Sequence, residues 1–422
     1  MKIKFSGTTL IEISEALLIL YLCLPITIAL LNSFLIQTIC IISSVFFVCG
    51  MIKLNRVKQL VVFLVIFIFL LLYWQFAWKF RIESISYLYY CFASVSFVYG
   101  GVILYKTNDS KLVQRLFYLL TFIYFITSIT TILGLFEFPL ACREYAREVA
   151  YNPSQDIAVL RKTYRLLNIA SWSQVYGMMF AVPSLLLCWK KTKRLLFLAI
   201  MLAIELMIFA SQITFAFLLS VCLLATSFIT IKSGFKFIVF LGVLLIVAGI
   251  CFINIDFILT IIISATQQLG LSFLTIKLDD LRILLVAKEA VGDAGARFEL
   301  YQKSIETFFD NPVLGMLFSD NVENQIGFHS EFFDFIGVFG LIGIIILGLS
   351  FWGYSRFLNC IEKDERKDLR MIYLFFVFLF IFNPVFNSPQ VFIGAFLYPI
   401  LCCRFCKGIV TDNSKRKSLC FN

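Results

Sequence analysis

Charged residues are scarce in this sequence, and their scarcity excludes a soluble globular protein. Only 15% of the 422 residues are Asp, Glu, Lys or Arg, whereas 61% are hydrophobic. Soluble domains are about one quarter charged and about half apolar, so lipid must be the main solvent of this chain. The net charge of +10 does not indicate nucleic acid as a partner, because the basic residues collect in short segments between apolar runs.

Histidine is rarer still, with a single copy in the chain, and the common nucleotide and metal motifs are missing. The sequence has no Walker A motif, no HExxH zinc motif and no dinucleotide-binding fingerprint. Cys402, Cys403 and Cys406 form a CCxxC cluster, but zinc needs a fourth ligand and the histidine lies far away in sequence. The sequence therefore favours apolar packing or acylation of these thiols, and it predicts no metal ion and no cofactor.

Twelve apolar runs predict an all-α polytopic membrane protein with about 12 transmembrane helices. Each span needs about 20 residues. The runs cover 13–32, 34–52, 59–78, 84–105, 116–137, 167–189, 195–210, 213–231, 237–253, 332–354, 371–386 and 389–403. The start, Met1 to Lys4, leads into a run that is long enough to remain as a span rather than act as a cleavable signal peptide. We expect residues 1–422 to form a single integral membrane domain.

Basic residues in every second short connection orient these predicted spans. Cytoplasmic loops are enriched in Lys and Arg. The basic connections contain Lys53, Arg56 and Lys58, then Lys106, Lys111 and Arg115, then Lys190, Lys191, Lys193 and Arg194, then Lys232 and Lys236, and finally 356–370 and the C-terminal tail. Both termini are therefore predicted to be cytoplasmic. Because 195–231 is too long for one span, Ser211-Gln212 is predicted to be a polar turn at the outer face.

Two long segments are predicted to be extracytoplasmic: a first loop at 138–166 and a large loop at 254–330, before the tenth span. Long loops escape the positive-inside rule. Their basic residues are either ordinary solvated charges or contacts for an anionic ligand, and charge alone favours neither interpretation. Within the large loop, 257–265 and 281–287 are apolar enough to form short helices in the membrane interface.

The end of the large loop has a helical pattern followed by a helix stop. Phe298, Tyr301, Ile305 and Phe308 recur at spacings of three or four residues, which places them on one face of a helix. Asn311-Pro312 is predicted to end that helix, because proline cannot continue it.

A few ionisable residues could carry chemistry. His329 lies where the large loop meets the next span, and its near-neutral pKa suits a general base, although a hydrogen-bonded histidine at a helix start is the simpler interpretation. Arg297 and Arg165 offer planar forks that match phosphate oxygens, or they form surface ion pairs of little energetic effect. Glu205, inside the seventh span, is either a proton relay or half of a structural pair. Glu12 and Glu15 are expected to reach water at the end of the first span.

The order of motifs resembles a known family. An Arg-led helix at 297–309 is followed by Asn311-Pro312-Val313-Leu314-Gly315, then by Gly327-Phe328-His329-Ser330 at the head of a glycine-bearing span. This order, with about a dozen spans and a late outer loop, resembles the O-antigen polymerase and O-antigen ligase superfamily of bacterial membrane glycosyltransferases. A weaker match is Arg165-Leu166-Leu167-Asn168 with Ser171-Trp172-Ser173-Gln174. Ser211-Gln212 stands where many members have Ser-Arg, so one expected phosphate contact is absent.

The resemblance implies a polymerase that joins oligosaccharide repeats linked to undecaprenyl pyrophosphate into O-antigen, capsule or exopolysaccharide. The transfer would be inverting and metal-independent, at the outer face of the bacterial inner membrane. The residues that it implicates are His329 and Arg297 in catalysis, and Arg165, Arg161, Lys303, Glu331, Ser211 and Gln212 in binding. Membrane lipid, a chain-length regulator and a flippase are the implied partners, and nucleic acid is not.

Two alternatives stay open at this point. An O-antigen ligase would use the same chemistry with lipid A-core as the acceptor. A flippase or transporter of lipid-linked glycans belongs to another class and has a similar number of spans, but Glu205 is the residue that fits it, and it gives the large loop no task.

Overall fold

The computed structural model describes residues 6–78, 85–107, 110–146, 150, 152, 154–228, 255–270, 272–286, 292–316, 326–386 and 388–419. Within these ranges the chain is helical, without β-strands, which confirms the predicted all-α class. The predicted ninth span, 237–253, lies outside them.

The helices are numbered here in chain order. They are α1 Gly7–Cys23, α2 Pro25–Leu30, α3 Ser33–Lys53, α4 Val57–Trp78, α5 Ile85–Lys106, α6 Ser110–Glu137, α7 Ala141–Glu144, α8 Ile157–Leu166, α9 Trp172–Thr192, α10 Leu195–Ala210, α11 Thr214–Phe228, α12 Ile255–Gln268, α13 Ser272–Val286, α14 Gly292–Asp310, α15 Glu331–Asn359, α16 Lys363–Phe382, α17 Pro389–Phe392 and α18 Tyr398–Leu419. A π-helical turn, Ile393–Leu397, joins the last two.

Five helical stretches in the described part of the chain are long and apolar enough to cross a membrane. They are Phe34–Lys53, Leu88–Lys106, Lys111–Glu137, Glu331–Asn359 and Pro389–Gly408. Three shorter apolar helices accompany them, at Val57–Tyr73, Leu195–Ala210 and Thr214–Ser227. These apolar helices agree with the prediction that the chain lies in a membrane. The count of twelve spans and their orientation stay predictions.

Pro25 interrupts the first predicted span, 13–32, which is built from α1 and α2 rather than from one helix. Proline has no N–H, so carbonyls in the last turn of α1 lose their helical partners. Side-chain amides replace them: Gln174 and Gln390 both donate to the Leu22 carbonyl, at 3.3 and 3.1 Å. The break in α1 is thereby attached to α9 and α17.

Helix α9 is the centre of the bundle, and most of its length is buried. It begins with a capping box between Ser171 and Gln174, the residues that the sequence placed at the start of the sixth span. Gly177 on α9 and Gly394 in the π-helical turn permit a close backbone crossing, because a Cβ on Gly394 would collide with the Gly177 backbone and a Cβ on Gly177 would collide with the Gln390 backbone of α17. Small residues permit such close helix crossings in membrane proteins.

Helix α15 is broken at Gly340, which has φ +59°. The segment from Asn311 to Met316 packs into the break: the Met316 N–H donates to the Val338 carbonyl at 2.9 Å, and the Leu341 N–H donates to the Pro312 carbonyl at 2.8 Å. Backbone groups released by a broken helix need such partners when water is excluded. The predicted helix stop at Asn311-Pro312 is confirmed, because α14 ends at Asp310.

One prediction from the sequence needs correction. Glu15 does not reach water: its side chain is fully buried against Gly100 of α5, and its carboxylate has no hydrogen-bond partner among the described residues. The predicted apolar face of α14 is only partly covered, because Phe298 is exposed and Phe308 is half-buried. The fully buried positions of α14 include Ser304 and Thr307.

Candidate functional site

His329 lies in residues 326–330, the segment that leads into α15 and is called the His329 connection here, and the carboxylate of Asp334 fixes this segment on both sides of His329. Asp334 accepts the N–H of Phe328 and the N–H of Ser330, each at 3.2 Å. Ser330 in turn caps α15 by accepting the Phe333 N–H at 3.1 Å. The His329 side chain itself is exposed. A buried carboxylate thus holds the backbone so that the imidazole is presented outward.

Ser304 connects this arrangement to α14. Its hydroxyl donates to the Asp334 carboxylate at 2.6 Å and accepts the Gly327 N–H at 2.9 Å. Gly327 packs directly on the Leu300 backbone, where no Cβ would fit. Because Arg297, Leu300 and Ser304 follow one another at helical spacing, the same face of α14 that meets the His329 connection also carries Arg297.

We expect Asp334→Asn to loosen the His329 connection. An amide keeps one acceptor oxygen but turns its NH₂ group toward a backbone N–H, so at least one of the two backbone hydrogen bonds is lost. Hydrogen bonds to charged groups are worth about 1.5–3 kcal/mol, so amide hydrogen exchange at Phe328 and Ser330 should accelerate by at least about tenfold. Mass spectrometry of the full chain in detergent measures this exchange, with Asp310→Asn at the exposed end of α14 as the control. Unchanged exchange would remove Asp334 from this role.

Arg297 lies near aromatic hydroxyls. Its cation acts electrostatically on Tyr301 and on Tyr176, one turn into α9. Burial raises the pKa of Tyr301, and this cation only partly opposes the rise. The Tyr301 hydroxyl therefore stays protonated at neutral pH and donates to the Phe382 carbonyl at 2.9 Å.

Arg143 is the residue that sequence reasoning missed. Its guanidinium acts on the same Tyr176 hydroxyl as that of Arg297, and it donates to the Gln212 carbonyl at 3.0 Å. Gln212 lies in the turn between α10 and α11 with φ +55°. The turn at Ser211-Gln212 is therefore confirmed, and an arginine from 69 residues upstream contacts its backbone.

Arg165 lies on a neighbouring part of this end of the bundle. It acts electrostatically on Tyr145 and Tyr21, and burial raises the pKa of Tyr145 despite this cation. Arg161 and Lys303 are half-buried, on α8 and α14. The structure therefore groups Arg297 with Arg143 more closely than with Arg165.

Two other predicted site residues have their polar groups engaged inside the fold. Glu331 is buried, and its carboxylate accepts the N–H groups of Val385 and Phe386, at 2.5 and 2.8 Å. The Ser211 hydroxyl is fully buried and donates to the Ile208 carbonyl at 2.7 Å. These contacts fix the 383–386 turn and the 211–212 turn, so both side chains serve the shape of the site.

One end of the bundle thus combines two arginines near the buried Tyr176 with an exposed histidine on a connection that Asp334 fixes. Permanently charged forks such as Arg297 and Arg143 suit phosphate oxygens. An exposed imidazole can accept a proton at neutral pH. Comparisons of the chain with protein-family models and with curated proteins find no match.

Proposed function

We propose that this chain is a membrane glycosyltransferase that polymerises oligosaccharide repeats carried on undecaprenyl pyrophosphate. The proposal rests on one observation above the others: Arg297 and Arg143 both act electrostatically on Tyr176, at the end of the bundle where Asp334 and Ser304 fix the His329 connection. An anion-holding pair beside a proton acceptor is what transfer from a glycosyl pyrophosphate requires.

The chemistry divides between the two groups. Imidazole of His329 takes the proton of the acceptor sugar hydroxyl as that oxygen forms a bond to the anomeric carbon of the donor. The bond from the anomeric carbon to the pyrophosphate oxygen breaks, and the bonding pair leaves with the pyrophosphate. Arg297 and Arg143 stabilise the charge that develops there, where water is partly excluded. Attack opposite to the leaving group inverts the anomeric configuration.

A lipid-linked donor also needs an apolar surface next to the site. A cavity of about 600 Å³ lies between α4, α5, α15, α16 and α17, and its lining is mainly aliphatic and aromatic. Phe335 and Phe386 form its wall next to Glu331 and the 383–386 turn. This cavity supports a substrate that has a hydrocarbon tail.

We expect His329→Ala to stop polymerisation while leaving the protein in the membrane, because the imidazole is exposed and is not part of the buried core. The test replaces the cell's own copy with the variant and measures glycan length by gel, with protein abundance in the membrane fraction measured in parallel. The matched control is Gln302→Ala, an exposed polar residue on α14 whose amide bonds Glu306. Single repeat units with His329→Ala and full polymer with Gln302→Ala would support the proposal.

The other outcomes of this experiment separate the alternatives. Long lipid-linked polymer that fails to reach lipid A-core would indicate a ligase. Normal polymer length in His329→Ala would remove the histidine from the reaction.

A flippase of lipid-linked glycans is favoured by one finding, the unpaired buried carboxylate of Glu15. Intramembrane carboxylates often mark transport pathways. Glu205, the other carboxylate considered for transport, differs from Glu15 because it accepts a hydrogen bond from the Ser220 hydroxyl at 2.5 Å. Trapping of the lipid-linked repeat on the cytoplasmic side in Glu15→Gln cells would favour transport over polymerisation.

A further inference from the structure

Three cysteines converge at the opposite end of α9 from the arginine pair. Cys188 on the last turns of α9 lies 3.0 Å from Cys402 and 3.6 Å from Cys406, measured between Sγ atoms. All three sulfur atoms lie within 4.8 Å of one another, and all three side chains are buried. Two of them belong to the CCxxC cluster, and Cys188, distant in sequence, completes the group.

We propose that Cys188, Cys402 and Cys406 bind a thiophilic divalent cation of the zinc class. Zinc–sulfur bonds of about 2.3 Å place sulfurs that share an ion about 3.8–4.0 Å apart. The separations of 3.0 and 3.6 Å therefore need to widen by less than about 1 Å. Cys402 and Cys406 are four residues apart on α18, which puts both thiols on one helix face toward Cys188.

A backbone oxygen next to the thiols can supply a fourth donor. The Cys402 thiol donates to the Ser184 carbonyl at 3.0 Å. Metal binding releases the thiol protons to solvent and leaves thiolates as ligands. Once Cys402 has lost its proton, the Ser184 carbonyl no longer has that donor and is close enough to complete the coordination after a small shift.

The surrounding charges suit a thiolate site. The ammonium of Lys191 acts electrostatically on Cys406 and Cys403, and nearby cations favour thiolates. Lys191 pairs with the fully buried Glu365 at 2.7 Å, and Lys407 reaches the same carboxylate at 3.7 Å. Lys407 also pairs with Glu362, but the Glu362 side chain is 70% exposed, so solvent screens its charge. Two lysines thus share one buried carboxylate beside the cluster.

The consequence of metal binding would be a fixed junction between α9 and α18. Helix α9 carries Tyr176 of the arginine pair at its other end, and α18 follows the π-helical turn that crosses Gly177. An ion here would hold both helices at a point where the described contacts are otherwise mostly apolar.

Cadmium is the probe, because thiolate-to-Cd²⁺ charge transfer absorbs in the ultraviolet and reports the ligands directly. The reduced, chelator-treated full chain in detergent is expected to bind about one Cd²⁺ per chain with this absorbance. Cys188→Ser and Cys402→Ser should each bind at least about tenfold more weakly. Bound Cd²⁺ should also raise the unfolding temperature of the wild type but not of these variants.

Cys403→Ser is the matched control, because Cys403 is adjacent to Cys402 and equally buried but is not part of the three-thiol group. It should bind Cd²⁺ like the wild type. Equal Cd²⁺ binding by wild type and Cys188→Ser would overturn the proposal, and so would an equal loss in Cys403→Ser. A Cys188–Cys402 disulfide, found in protein whose free thiols are alkylated at cell lysis, would identify a redox pair instead.

Discussion

Arg297→Lys is expected to reduce polymer formation by about ten- to a hundredfold while the protein stays folded. Lysine keeps the charge but loses the planar fork that binds two phosphate oxygens at once. One hydrogen bond between charged groups is worth about 1.5–3 kcal/mol, and about 1.4 kcal/mol corresponds to a tenfold change. Arg297→Ala should be worse still, because Arg143 would then be the single cation beside Tyr176 among the described contacts. The measurement is incorporation of lipid-linked repeats into polymer by membrane vesicles.

The control for this variant is Arg282→Lys on the preceding helix, α13. The Arg282 side chain is 39% exposed, and it pairs with Asp256 at 2.6 Å and with Asp279 at 3.7 Å. Lysine can pair with the same carboxylates, and exposed pairs of this kind contribute little to stability. Arg282→Lys should therefore polymerise normally. Full polymer length with Arg297→Lys would show that Arg297 does not hold the pyrophosphate.

Arg143→Lys extends the test to the residue that the sequence did not single out. Arg143 donates one N–H to the Gln212 carbonyl, and its cation acts electrostatically on Tyr176, as that of Arg297 does. Its loss should weaken polymerisation in the same direction as Arg297→Lys. Since both cations would act on one ligand, the double variant is expected to fall short of the product of the two single effects.

The sequence predicted the helix boundaries before and after His329 because the residues that determine them are local. Pro312 ends a helix wherever it occurs, and Ser330 with its following apolar run is an ordinary helix start. The role of Arg143 could not be predicted in the same way. Several basic residues of 138–166 look alike in sequence, and the partner of Arg143 is a backbone carbonyl, which no residue pattern reveals.

The burial of Glu15 illustrates a second limit. The apolar run at 13–32 predicts that Glu15 is near water, but α1 begins at Gly7. Eight residues at 1.5 Å each place Glu15 about 12 Å inside the helix. Its pocket then depends on Gly100, a residue of another helix that leaves space for the carboxylate. The position of Cys188 beside the CCxxC cluster could not be predicted for a similar reason. The contact is long-range, and no residue near Cys188 in the sequence indicates it.

Gly340→Ala is expected to cost the protein most of its folded population. The backbone conformation of Gly340, φ +59° and ψ −142°, is essentially restricted to glycine and costs another residue about 1–3 kcal/mol. A Cβ at position 340 would also lie 2.7 Å from the carbonyl oxygens of Pro312 and Val313. Those neighbours are backbone atoms, so no side chain can move aside. A total destabilisation above about 3 kcal/mol follows, which is large for a single substitution. Thermal unfolding of the purified chain in detergent measures it.

Two other glycines provide control variants for Gly340→Ala. Gly348 lies further along α15 with nothing within 4 Å of its would-be Cβ, so Gly348→Ala should be neutral or slightly stabilising. Gly270 has φ +70° and equally open surroundings, so Gly270→Ala isolates the backbone cost from the collision. If Gly340→Ala unfolds at the temperature of Gly348→Ala, the break does not pack against 311–316 as described.

The break in α15 also sets the geometry of the site. Helix α14 is joined to α15 twice, through the packing of 311–316 at Gly340 and through the hydrogen bond between Ser304 and Asp334. A shift at the first junction must therefore move Arg297 relative to His329. Among molecules of Gly340→Ala that remain folded at low temperature, polymerisation per folded molecule should fall as well, whereas Gly270→Ala should lose stability without this loss. That difference would connect the helix break to the chemistry, because both variants strain a backbone but only Gly340 lies at a junction of α14 with α15.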